Sequence, residues 1–563
     1  MKSFVLGIGL LFAIIGNSQK KYPTEYFQSP MNIPIILAGT FGELRSNHFH
    51  SGIDIKTQQR EGLPIFAIAD GAVTRIKVSL WGYGKVLYVT HPNGYTSVYG
   101  HLQKFSPKIE AYVQKLQYAK KSFEIETFPN SDALILEKGE IIAYSGNTGG
   151  SSGPHLHFEI RENGTQKPTN PLLYGYEVPD ATNPILEKVF LYPLNENSAV
   201  NGNTTRTQLN FTTQADGSFI TDKVTANGVL GLGFIGFDRL DMAANRNGIY
   251  AITMKVNGTV VTSYNFDAFS FKETRYINTL IDYEYQSLFR ERILKCFKSP
   301  GNKLSIYNTA LDDGKININN GLSYTLELLL EDIAGNETKL TIPIVGKELP
   351  AQEVVTEKTY LNYLVANKPN NYDLEAAKVY FPTNTFYEDF YIDLKKGKDT
   401  IAIHNNTVPA HRKFTISFDV KKYTKKERKQ LFIVRLNQKL KSYYVSTYKR
   451  ANTFTTRTKN LGTYTLAKDS VAPKITTKNF KEEQNLDAYK FLSLTITDDF
   501  SGIATYNATI NGTWVLMEYE PKKKTITYTF NEKLEKAKIY NLNVRVTDNV
   551  GNETILETSF TRK

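Results

Sequence analysis

The chain has 563 residues, which at roughly 150 residues per domain predicts about four domains. Its 41% hydrophobic and 22% charged content supplies several cores and argues against wholesale disorder. One cysteine, Cys296, excludes an internal disulfide framework and cysteine-based metal sites, while 68 basic against 56 acidic residues, a net charge of +12, favours anionic partners.

Lys2 precedes an apolar run from Phe4 to Ile15, followed by Gly16-Asn17-Ser18. This pattern predicts a signal peptide over 1–18, export to the periplasm, cell envelope or exterior, and no stable membrane span after cleavage. Export disfavours nucleic acid as a partner. From 22 to 180, short β-branched and aromatic runs are punctuated by Gly, Asn and Pro. Two of them, Val86–Thr90 and Tyr95–Tyr99, flank His91-Pro92-Asn93-Gly94, a hairpin signal. Ile109, Val113 and Leu116 recur at helical spacing within 106–123, which predicts a helical insertion able to line or cover a groove.

Beyond residue 180 the sequence reads as β throughout and contains a repeat. Asn247-Gly248-Ile249 with Asn257-Gly258-Thr259 matches Ser501-Gly502-Ile503 with Asn511-Gly512-Thr513. Each copy closes on D-x-x-G-N-x-T, at Asp332–Thr338 and at Asp548–Thr554. These endings resemble bacterial immunoglobulin-like wall and surface modules. They predict an Ig-like β domain over 185–347 with an insertion from about 267 to 320, a β domain over 350–470, and an Ig-like β-sandwich over 472–563.

Chemistry concentrates in the first third. His48-Phe49-His50-Ser51-Gly52-Ile53-Asp54 sets imidazoles and a carboxylate around a glycine. In His155-Leu156-His157-Phe158-Glu159-Ile160, strand alternation sends Leu156, Phe158 and Ile160 to a core and His155, His157 and Glu159 to the other face. His101 is expected on one face with Tyr95, Ser97 and Tyr99. Two imidazoles and a carboxylate make a three-ligand zinc site with an open position, the catalytic form.

These segments, with Gly39-Thr40-Phe41-Gly42, Arg45, Ala69-Asp70-Gly71, Tyr99-Gly100-His101-Leu102 and Ser145-Gly146-Asn147-Thr148-Gly149, resemble the lysostaphin-type zinc metallopeptidases over about 35–175. The resemblance implies a duplicated-hybrid-motif β-sheet domain in a mostly β chain, with antiparallel β-sandwich (Ig-like) domains after it. It implies that His50, Asp54 and His157 ligate Zn²⁺, and that His155 and His101 are the non-ligand catalytic histidines. His48 competes with His50, but only His50 has an Asp four residues on and the Ser-Gly spacing. Lysostaphin itself has a tyrosine upstream of the first ligand, whereas the nearest upstream aromatics here are Phe49 and Phe41.

The expected activity is an exported zinc metalloendopeptidase cutting peptidoglycan stem or cross-link peptides laid along an exposed sheet face. Two alternatives stand beside it: a non-catalytic regulator of other wall hydrolases, and a surface adhesion protein acting through its Ig-like repeats.

Overall fold

The computed structural model describes residues 22–348, 362–530, 534 and 537–563. The expected signal peptide lies outside the described residues. Among those described, no helix is long and apolar enough to cross a membrane.

The fold is mostly β. The first region supplies strands β1 (Leu37–Gly39), β2 (Leu44–Arg45), β3 (His48–Phe49), β4 (Ile53–Lys56), β5 (Pro64–Phe66), β6 (Gly71–Val78), β7 (Lys85–Thr90), β8 (Tyr95–Leu102) and β9 (Lys104–Phe105). Helix α1 (Pro107–Lys120) follows, then β10 (Ile125–Thr127), β11 (Ile135–Leu136), β12 (Ile141–Tyr144) and β13 (His155–Glu162). The main sheet runs β1-β4-β13-β8-β7-β6-β10, and a small sheet β5-β12-β9 packs against it.

Alternation decides what β13 does. Leu156, Phe158 and Ile160 are fully buried beside Ile53, Ile55, Leu87, Val89 and Tyr99, so its polar residues face the other way. In the ladder His157 lies directly opposite Asp54 on β4 and Gly100 on β8, which places all three on one face. Gly52 allows β4 to start there, because a Cβ at this position would meet the Phe158 carbonyl oxygen at 2.2 Å.

Helix α1 sits where the periodicity predicts it, with Ile109 and Val113 buried in the same core. Of the two places the sequence left open to it, it takes neither: it does not line the cleft described below. Its apolar stripe is used up on the core, and its outer face meets the C-terminal domain, with the Tyr118 ring 5.2 Å from Trp514.

The following domain is joined to the first by shared packing. Phe41 and Phe49 belong to the second domain's core, with ring centroids 5.0 and 5.3 Å from Phe269. Phe269 lies in the stretch that lengthens the first repeat, and that stretch is what docks on the first region. Two further β units follow. One has a pair of five-stranded sheets between Asn370 and Lys468, and the other has a four- and a five-stranded sheet between Lys474 and Thr561.

The repeated ending has one physical use in both copies. Asp332 accepts from the Asn336 amide N–H at 2.8 Å and from its side chain at 2.7 Å. Asp548 does the same for Asn552 at 2.8 and 2.7 Å. Each Asn side chain also donates to a linker carbonyl, Asp180 at 3.2 Å and Asp469 at 3.3 Å, tying the module to the chain that enters it.

Candidate metal centre

Three side-chain atoms converge above the sheet. His50 Nε2 lies 3.1 Å from Asp54 Oδ1 and 3.1 Å from His157 Nδ1, and His157 Nδ1 lies 2.9 Å from the same Asp54 oxygen. All three residues are buried. A tetrahedral zinc with ligands at about 2.0–2.1 Å has ligand–ligand edges of roughly 3.3 Å, so the triangle has the size and donor chemistry such a cation requires.

The outward atom of each of the three residues is occupied. His50 Nδ1 donates to the Thr40 carbonyl at 2.7 Å, and His157 Nε2 donates to Glu159 Oε1 at 2.8 Å. Those bonds fix both tautomers and leave the facing nitrogens as lone-pair donors. Arg45 holds Asp54 Oδ2 at 3.1 Å. Burial opposes ionisation of Asp54, but His50, His155 and His157 outweigh it and keep the carboxyl well below the usual range. At His157 burial disfavours the imidazolium, yet the Asp54 and Glu159 carboxylates raise its pKa to about 9, so a metal cation would take the place of the proton on Nδ1.

Glu159 is fully buried and is a site residue whose role the sequence did not single out. It accepts from His157, from Ser51 Oγ at 2.8 Å and from Tyr83 Oη at 2.5 Å, while its other oxygen accepts from Arg161 Nε at 2.5 Å. Tyr83 stacks on His157 with centroids 4.8 Å apart and planes 22° apart. An aromatic hydroxyl is therefore present, contributed from the turn before β7. Phe41 and Phe49 point away into the second domain. The only signal that could have found Tyr83 was its position in the Gly82-Tyr83-Gly84 turn.

His155 and His101 flank the triangle. His155 Nε2 lies 3.5 Å from Asp54 Oδ1, and its Nδ1 is held by the Gly153 carbonyl at 2.9 Å. The His101 ring is 4.8 Å from that of His155, and its Nδ1 is held by the Thr148 carbonyl at 2.8 Å. Each imidazole thus presents Nε2 to the cleft. Burial, with the nearby His157 and His155, lowers His101 to about 3 and keeps it neutral.

His101 does not share a face with Tyr95, Ser97 and Tyr99, as expected from alternation. Ser97 and Tyr99 are fully buried on the core side, hydrogen-bonded to each other at 3.0 Å. The β7–β8 register shifts between Lys85/Leu102 and Leu87/Tyr99, and His101 has a φ of 59°. This bulge re-aims the side chain, a device common beside functional sites. His48 is exposed on β3, and His91 is buried between the Asp70 carbonyl and Ser97 Oγ, so neither enters the triangle.

The site opens into a cleft of about 1290 Å³. One wall is not the sheet: Met242, Asn245, Phe271 and Thr274 of the second domain line it. The groove is therefore walled by two domains and is not the exposed sheet face expected.

Residues 48–119 and 131–171 match the family model described as peptidase family M23, and 361–469 match a Zu5-like domain. Over 139 residues the chain is 34% identical to the DD-carboxypeptidase/endopeptidase Mpg of Neisseria meningitidis serogroup B, covering 25% of this chain and 26% of that protein. Over 140 residues it is 34% identical to the murein hydrolase activator NlpD of Escherichia coli, covering 24% and 28%. The match thus spans about a quarter of the length of these curated relatives. The solved catalytic domain of lysostaphin from Staphylococcus simulans aligns at 22% identity over 25% of this chain and 93% of that one, with a TM-score of 0.20. The matched stretch, carrying all three converging residues, is a lysostaphin-type peptidase family M23 domain within a longer β-rich chain.

Proposed function

We propose that the protein is an exported zinc endopeptidase that hydrolyses peptide bonds in peptidoglycan stem or cross-link peptides. The observation that carries this reading is the convergence of His50 Nε2, Asp54 Oδ1 and His157 Nδ1, with each ligand's far atom already bonded. When bound, Zn²⁺ supplies a Lewis acid that polarises the scissile carbonyl and makes water acidic near neutral pH. His50, Asp54 and His157 would hold it. His155, with Nδ1–H fixed on Gly153, keeps an Nε2 lone pair beside Asp54 to take the proton of the attacking water. His155 then returns the proton to the leaving amine, while His101, oriented by Thr148 with its ring 4.8 Å from that of His155, offers an Nε2 lone pair to accept a hydrogen bond from the attacking water. Met242 and Phe271 of the second domain wall one side of the cleft.

The name of the Neisseria relative supports the peptidase reading, and the run Phe4–Ile15 supports export. The name of the Escherichia relative favours a second reading, activation of other hydrolases. Against that stands the complete ligand set here. The experiment is metal analysis of the purified chain beside mass spectrometry of sacculi incubated with it. About one zinc per chain and new peptide termini are expected. A zinc-loaded protein that releases no termini but stimulates an added amidase would sink the peptidase reading in favour of the second.

A further inference from the structure

Both non-ligand histidines are oriented by one loop, residues 147–154, three of which are glycine. Thr148 supplies the carbonyl that accepts from His101 Nδ1. Gly153 supplies the carbonyl for His155 Nδ1, with Ser151 Oγ 3.2 Å from the same nitrogen. A glycine-rich segment loses much backbone entropy when it is fixed in one geometry, so something must hold it. Part of the hold is local: Gly150 N–H donates to the Gly82 carbonyl at 2.7 Å, and Thr148 Oγ1 donates to Leu102 at 2.8 Å.

The rest comes from the far end of the chain. Lys522 Nζ donates to the carbonyl of Ser151 at 3.0 Å and to that of Asn147, gripping the loop on both sides of Thr148. Lys522 sits in a short turn, Pro521–Lys523, shaped by Glu520, whose side chain accepts from the Lys522 amide at 3.2 Å. The turn is brought there by a docked face. Buried Lys85 pairs with Glu518 at 3.0 Å, Trp514 packs on Tyr118 of α1, and the Leu516 amide donates to the Tyr118 hydroxyl at 3.4 Å.

We propose that the C-terminal β-sandwich is a positioning element of the active site: it docks on α1 and, through Lys522, fastens the 147–154 loop that orients His101 and His155. Lys522 touches neither the metal ligands nor the cleft, so it is a positioning residue. The proposal rests on the roles given to the two histidines above, but the fastening itself can be read without turnover.

The test uses the full chain with Lys522→Ala and Lys522→Arg, comparing hydrogen–deuterium exchange at 147–155, zinc content, and kcat and KM on a soluble stem-peptide substrate. In Lys522→Ala, exchange at the loop should quicken and zinc content should hold. The kcat should fall roughly 10-fold with KM little changed, as expected when catalytic groups lose their orientation. Lys522→Arg, which keeps a charged donor, should restore both. Unchanged loop exchange in Lys522→Ala would overturn the proposal. So would faster exchange with wild-type kcat, because the loop would then not be setting the histidines. Faster exchange in a protein whose wild type hydrolyses nothing would uphold the fastening and count against the peptidase reading alone.

Discussion

At Glu159 three donors converge on one carboxylate oxygen and Arg161 takes the other, all out of solvent. Outer partners of this kind orient a ligand and typically contribute 10–100-fold in metal affinity. Glu159→Gln should therefore weaken zinc binding by about that factor, read by competition with a chromogenic chelator. It also strands Arg161, and breaking a buried pair costs on the order of 3–5 kcal/mol. The sign with pH follows from the direction of the shift. Burial opposes the charge on Glu159, but Arg161 and His157 hold its pKa far below the ordinary value. Its contribution is thus complete above about pH 4.5 and declines as pH falls below that. Thermal unfolding of the chelated wild type and Glu159→Gln should differ most at neutral pH and converge in acid. Next to it, His155→Ala should retain zinc while losing ~10²–10⁴ in turnover, and His157→Ala should lose both. Zinc content beside sacculus hydrolysis separates them, and a zinc-free His155→Ala protein would reverse the assignment. Alternation along β13 and the His50–Asp54 spacing offered candidate donors, and the resemblance to the lysostaphin-type family is what chose His50, Asp54 and His157 among them. Glu159 was legible only as a face. His101 was named through the resemblance, but its orientation was not legible, because a bulge is a break in the periodicity from which sequence reasoning works.

The repeated D-x-x-G-N-x-T ending shows what an element-scale pattern conveys. Its strands and turns could be read in sequence because turn residues and alternation are local. The Asn bridge to Asp180 or Asp469 could not be, since it joins residues more than 80 apart in one copy and 150 apart in the other. Removing that amide leaves a part-buried carbonyl and carboxylate oxygen without their donor, a loss of about 1–3 kcal/mol. Asn552→Ala should lower the urea midpoint of an expressed 469–563 fragment accordingly, with the slope unchanged. That fragment should show a β circular dichroism spectrum, since the core around Leu494, Ile526, Val544 and Phe560 lies wholly within it. A random-coil spectrum would mean the sandwich depends on its neighbours. Helix α1 teaches the converse. Ile109 and Val113 made it visible, but its partner, Trp514, lies some 400 residues away and no local pattern points to it.

On the scale of the molecule, the boundary near residue 180 is a boundary of sequence texture more than of packing. Phe41, in a turn, and Phe49, in the small β2–β3 pair, fill the second domain's core, where both are almost fully buried. The Phe49 amide donates to Thr274 Oγ1 at 2.9 Å, and Asn170 donates from its backbone to the Asp267 carbonyl at 2.7 Å. Burying a phenylalanine contributes about 1.5–3 kcal/mol, so these two rings alone couple the units by an amount comparable to a small domain's stability. The residues that wall the cleft, Phe271 and Thr274, sit on the same docked stretch, so the coupling also sets the groove's width. The two units should therefore unfold together. Calorimetry of residues 22–348 should show one transition, and Phe49→Ala, which deletes a buried ring at a cost of about 3–5 kcal/mol, should lower it as a whole. Two transitions in the wild type, with Phe49→Ala shifting only the second, would mean the peptidase sheet stands alone and the wall of the cleft is free to move against it.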